Sequence, residues 1–149
     1  MPKTLTGYDE DVILWAQEQA RALRERDFSK LDIEHLADEI EDVGRCEKRE
    51  LASRMAVLLA HLLKWRSQPE RRSASWRRTI NHQRERLDLL IKGTPSLKTV
   101  LREEDWRRDM WLDALAQASK ETGLDEGAFP DASPWDLAAT LDPDFWPDL

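Results

Sequence analysis

Cysteine and tyrosine occur once each in this chain of 149 residues, and glycine only five times. A single cysteine, Cys46, excludes an intramolecular disulfide and any multi-cysteine metal site, and a disulfide-free chain fits a cytoplasmic location. So few glycines, together with the scarcity of β-branched runs, leave little from which to build a sheet and predict an all-α fold. Long apolar runs are missing too. The longest, MAVLLAHLL from Met55 to Leu63, is about half of what a membrane-spanning helix needs, and it contains His61. The N-terminus carries acids from Asp9 to Asp11 where a secretory signal needs basic residues followed by an apolar core, so a soluble chain with no membrane association is expected.

What the chain has in abundance is charge. Asp, Glu, Lys and Arg make up 36% of it and the net charge is −7. The distribution is uneven: Lys64 to Arg86 holds eight basic residues against Glu70 and Glu85, a local +6, so the remainder carries −13. Two tryptophans, Trp65 and Trp76, lie inside that basic stretch. The segment after Gly123 is the reverse, with seven acids, no basic residue and four of the seven prolines.

The apolar periodicity predicts four main helices. Asp9 caps the first, which runs to about Arg26 with Val12, Trp15, Gln19 and Leu23 on one face. Asp32 caps a long second helix to about Arg66, whose stripe passes Ile33, Leu36, Ile40 and Val43 and resumes at Leu51, Met55, Leu58 and Leu62, with a kink rather than a break at Gly44. Ser73 or Ser75 caps a third helix ending near Gly93. Thr94 and Pro95 open a fourth that runs to Gly123, with a poor stripe from Arg102 to Asp109 that points to a bend or a partner contact. Trp15, Leu36, Ile40, Leu58, Leu62, Trp76, Leu87 and Trp111 are the expected core. The acidic end, residues 124–149, is expected to form a strap with one short helix after Ser133–Pro134, docked by Phe129, Trp135 and Trp146. The expected architecture is a single domain, an elongated helical bundle (8–123) with its strap.

The strings YDEDVILW, LADEIEDVGR, HLLKW, QPERRSASWRRTINHQR, FPDASPW and LDPDFWP, in that order, resemble the signature blocks of the bacterial family called domain of unknown function 29. The likeness runs from Tyr8 to Pro147. Ala132 departs from it, standing where members commonly have cysteine. The resemblance implies an all-helical bundle and carries no established activity, cofactor or catalytic residue.

Three candidate sites follow from the residues themselves. Lys64, Arg66, Arg71, Arg72, Arg77 and Arg78 gather around the start of the third helix, where the helix dipole disfavours cations, so they call for a compensating anion or an acidic partner. The plain alternative is that they pair within the bundle or with the acidic strap. His35 and Glu39, four apart on one helix face, are a weak candidate for two metal ligands, but the rest of a metal site is missing and no cofactor is expected. His61, on the apolar stripe, reads as a core histidine with one satisfied hydrogen bond. No nucleophile motif, glycine-rich phosphate loop or carboxylate pair names a reaction. The expectation is a non-enzymatic protein-interaction or regulatory protein. The alternatives are a nucleic-acid-associated regulator using residues 64–86, which the overall acidity disfavours, and a small helical metallo-enzyme. The opposed charges of 32–42 and 64–78 suit either an antiparallel homodimer or a monomer whose acidic strap covers the basic end.

Overall fold

The structure, a computed structural model, describes residues 5–147; the last two residues of the expected strap fall outside that range. Among the described residues the fold is all helical, with no strand. Six helices follow one another: α1 (Val12–Arg24), α2 (Ile33–Ser67), α3 (Ala74–Gly93), α4 (Leu97–Val100), α5 (Glu104–Thr122) and α6 (Leu137–Thr140). Asp11, not Asp9, caps α1, because the amides of Glu10 and Asp11 first close a turn on the Gly7 carbonyl. The Asp11 carboxylate then accepts from the amides of Ile13 and Leu14 at 3.1 and 3.0 Å. Ser73 caps α3 by accepting from the Trp76 amide at 3.2 Å. Gly123 ends α5 in the left-handed region, φ 77°, where a side chain would be strained.

The expected fourth helix is two helices. Thr94 caps the C-terminus of α3, and the chain breaks again at Leu101–Glu103 between α4 and α5. Helical phase accounts for that second break. Leu97, Val100 and Leu101 form one buried set and Met110, Trp111, Ala114 and Leu115 another. A straight helix at 100° per residue would turn the second set roughly 70° away from the first. Breaking the helix lets both sets reach the core.

The molecule gathers into two compact units, one reaching to Cys46 and the other starting at Glu47, so α2 contributes to both. In the first unit Trp15, Gln19 and Ala22 of α1 are buried. The Trp15 indole donates to Asp32 at 3.0 Å, and the Gln19 amide donates to the Lys30 carbonyl at 3.2 Å while accepting from the Asp32 amide at 2.7 Å. These bonds join α1 to the start of α2 through polar groups more than through apolar ones. The second unit has the main core, in which Leu51, Met55, Leu58, Leu59 and Leu62 of α2 pack with Ile80 and Leu87 of α3 and Met110, Trp111 and Leu115 of α5.

Candidate functional site

The basic segment folds into a stack of cations and rings in the second unit. Lys64 is buried, 6% exposed, with its ammonium 3.0 Å from Glu121 and 4.7 Å above the Trp76 ring. Burial pushes the Glu121 carboxyl up, but the hydrogen bond and charge of Lys64, with smaller help from Gln117 and His61, together outweigh it and leave the group below its ordinary range. Arg72 donates through Nε to the Trp65 carbonyl at 2.8 Å and lies 4.9 Å over that ring. Its Nη2 is buried with no hydrogen-bond partner, so the negative face of the Trp65 ring supplies compensating charge. Trp65 in turn meets Trp146 of the strap, centroids 4.7 Å apart, and Arg77 lies 5.2 Å from one ring and 4.9 Å from the other.

Arg84 completes the stack and was not among the candidates. It is 3% exposed and donates to three strap carbonyls, those of Thr140, Pro143 and Phe145, with its guanidinium 5.1 Å from Trp146. Burial lowers its pKa, since the charged form is the one that loses solvation. One signal in the sequence was available: Arg84 stands between Ile80 and Leu87 on the buried side of α3, one turn from each. Of the six basic candidates, Lys64, Arg72 and Arg77 are thus engaged by rings, a carbonyl and Glu121. Arg66, Arg71 and Arg78 are exposed and, among the described residues, in no ion pair.

In the first unit His35 and Glu39 belong to a hydrogen-bonded aromatic cluster. The His35 ring stacks on Tyr8 at 4.3 Å and its Nδ1 lies 2.7 Å from Asp32, while Glu39 accepts from the Tyr8 hydroxyl. That bond, together with the Glu39 charge, raises the Tyr8 pKa. The hydrogen bond to Asp32 raises the His35 pKa against the effect of burial. No group of three or more His, Cys, Asp or Glu side chains with metal-binding geometry occurs among the described residues. His61, in the second unit, is 8% exposed and its Nδ1 donates to the Val57 carbonyl at 2.8 Å, which leaves it a core histidine.

Solvent meets part of what the sequence assigns to the core. Leu36 and Trp76 are only half-buried, and Ile40 is 71% exposed, with Ile33 at 70% and Val43 at 67%. By helical rotation Ile33, Ile40, Leu51, Leu58 and Leu62 fall within about 40° of one another, so α2 carries one apolar face from end to end. Leu51 onward is fully covered. The stretch before it is bare, with Ala37 and Gly44, both exposed, beside the isoleucines on the same ridge. Periodicity alone cannot separate a buried stripe from an exposed one. The clues were Glu47, which interrupts the stripe, and the two small residues.

No helix among the described residues is long and apolar enough to cross a membrane. Comparison with curated proteins and with solved structures finds no match. The family model described as "Domain of unknown function DUF29" matches residues 7–146, nearly the whole chain, and the chain belongs to that family.

Proposed function

We propose that the chain is a non-enzymatic protein-interaction protein of the bacterial cytoplasm whose docking surface is the bare ridge of α2, and that a second copy of the chain occupies it. The observation that carries this reading is the continuity of the ridge with the covered face of the same helix. A stripe that other helices cover from Leu51 onward is left without cover at Ile33, Ala37, Ile40 and Gly44. Bare apolar surface of that kind favours an incoming helix.

The second copy is favoured by size. In an antiparallel pair about a two-fold axis between residues 38 and 39, Ile33 faces Gly44 of the second copy and Ile40 faces its Ala37. Both large-to-small contacts arise from one register, and each occurs twice. A Cβ added at Gly44 meets nothing within 4 Å, so the recess is open. Two helices meeting over about twelve residues bury less than the roughly 600 Å² per partner of a stable dimer, so the association is weak and reversible. The surrounding stretch 32–45 is acidic, with six acids against Arg45, which already pairs with Glu41 and Asp42. The apolar contact therefore works against like-charge repulsion, and added salt tightens the dimer by screening it.

Sedimentation velocity on the full chain tests the proposal. The expected result is a concentration-dependent dimer that strengthens with salt. Ile40→Glu and Gly44→Leu should each abolish it with helix content unchanged, the second because leucine fills the recess while improving helix propensity. A chain that stays monomeric up to about 0.1 mM at high salt overturns the proposal, as does a dimer that both variants leave intact.

A further inference from the structure

The charged stretch from Arg102 to Asp109 is used neither by the strap stack nor by the α2 ridge. In the second unit its helix break opens a cavity of about 340 Å³ between α3, α4, α5 and α6. The floor is apolar, made by Ile91, Leu101, Leu137 and Leu141. Lys98, Arg102 and Arg107 stand on the rim against a single acid, Asp136. A second cavity of about 330 Å³, floored by Met110 and Trp111, adjoins it and shares Arg107 and Leu137.

Among the described residues the rim cations have no carboxylate within ion-pair distance, Asp136 included, and three of the nearby acids pair with other cations. Glu103 pairs with Lys48 at 3.7 Å, and Glu104 and Asp105 both lie 3.9 Å from Arg108. Among the described residues, none of Lys98, Arg102 and Arg107 is in an ion pair. A net positive rim over an apolar floor, in a chain carrying −7, favours a ligand with one anionic end and one apolar end. At about 30 Å³ for each water-sized group the cavity holds on the order of ten non-hydrogen atoms.

We infer that this cavity binds a small amphipathic organic anion, with its apolar chain on Leu101, Leu137 and Leu141 and its carboxylate or phosphate head between Arg102 and Arg107. The shared chemistry is a singly or doubly charged oxyanion on an unbranched chain of about eight carbons, the length the cavity volume sets. The site is distinct from the bare ridge, so it can hold or fail independently of self-association.

Calorimetric titration of the full chain with octanoate and with octyl phosphate tests the inference and separates the two head groups. Octan-1-ol and octylammonium serve as controls with the same chain. At least one anion should bind saturably with a dissociation constant of about a millimolar or below, and octylammonium should show no saturable binding. The R102Q/R107Q double variant, changed only at exposed positions, should weaken the anion by about tenfold. Ala138→Phe keeps every charge but fills the cavity, and should weaken octanoate and octan-1-ol alike. Three results overturn the inference: no saturable binding of either anion, equal binding of octylammonium, or octanoate affinity unchanged in both variants.

Discussion

Asp32 joins two elements, accepting from an indole on α1 and meeting an imidazole one turn ahead on α2. Burial pushes its pKa up, but the hydrogen bonds from His35 and Trp15 prevail and hold it below the ordinary 3.8, while His35 is held above the ordinary 6.5. A raised histidine contributes stability that is fully present below 6.5 and is lost as pH rises through its folded value. A lowered carboxylate contributes stability present above 3.8 and lost as pH falls through its folded value. The pair is therefore at full strength between those two limits. His61 behaves in the opposite sense: burial lowers its pKa, so the folded chain resists its protonation and loses stability as pH falls below 6.5. Proton NMR of the ring signals should place the His35 midpoint above 6.5 and that of His61 below it. Asp32→Asn should bring His35 down towards its ordinary value and leave His61 unmoved, and a His35 midpoint unaffected by that change would show that the contact does not persist in solution.

At the scale of elements, the covered part of α2 and the docking of the strap are separable. Leu62 is fully buried, so Leu62→Ala should cost about 2–5 kcal/mol in chemical denaturation, and a loss below about 1 kcal/mol would mean the site collapses around the deletion. Arg84→Ala should release the strap, because three carbonyls lose a buried charged donor and Trp146 loses the cation beside it. The expected cost is about 1.5–3 kcal/mol, with fast amide exchange confined to residues after Gly123; strap protection unchanged in that variant would contradict the clamp. How much of this was legible follows the physics of each signal. Ser73 and Gly123 could be read from sequence because caps are local chemistry, and Leu58, Leu62 and Leu87 because a stripe on a helix with neighbours must be buried. Ile40 was misread because the same stripe continues where no helix among the described residues covers it, and periodicity records a face, not its neighbour. The single helix expected from Thr94–Pro95 to Gly123 was misread because the phase mismatch between the Leu97 set and the Trp111 set, which breaks it at Leu101–Glu103, is a tertiary property. The basic segment was visible as charge, yet its pairing with carbonyls and rings was not, since the partners of Arg84 lie 56 to 61 residues away along the chain.

Across the whole molecule, apolar burial is divided very unequally. Among the described residues, twenty-two buried apolar side chains form the cluster of the second unit, whereas the first unit buries only Trp15 and Ala22 of this kind and relies on Gln19, Asp32, His35 and Tyr8 for its cohesion. Net hydrogen bonds contribute about 1 kcal/mol each, and a segment of fewer than fifty residues with so small a core is marginal on its own. The first unit should therefore open well below the free energy at which the second unfolds, while α2 stays helical from Leu51 onward. Native-state hydrogen exchange should show amides of α1 and of α2 before Cys46 exchanging through local opening, with those of α2 after Leu51, α3 and α5 exchanging only by global unfolding. If a second copy docks on that ridge as proposed, raising the protein concentration should slow exchange in residues 33–44 alone, because association stabilises by mass action only what it touches. Uniform protection across both units, independent of concentration, would show instead that the chain unfolds as one cooperative body and that the bare ridge gains nothing from a second copy.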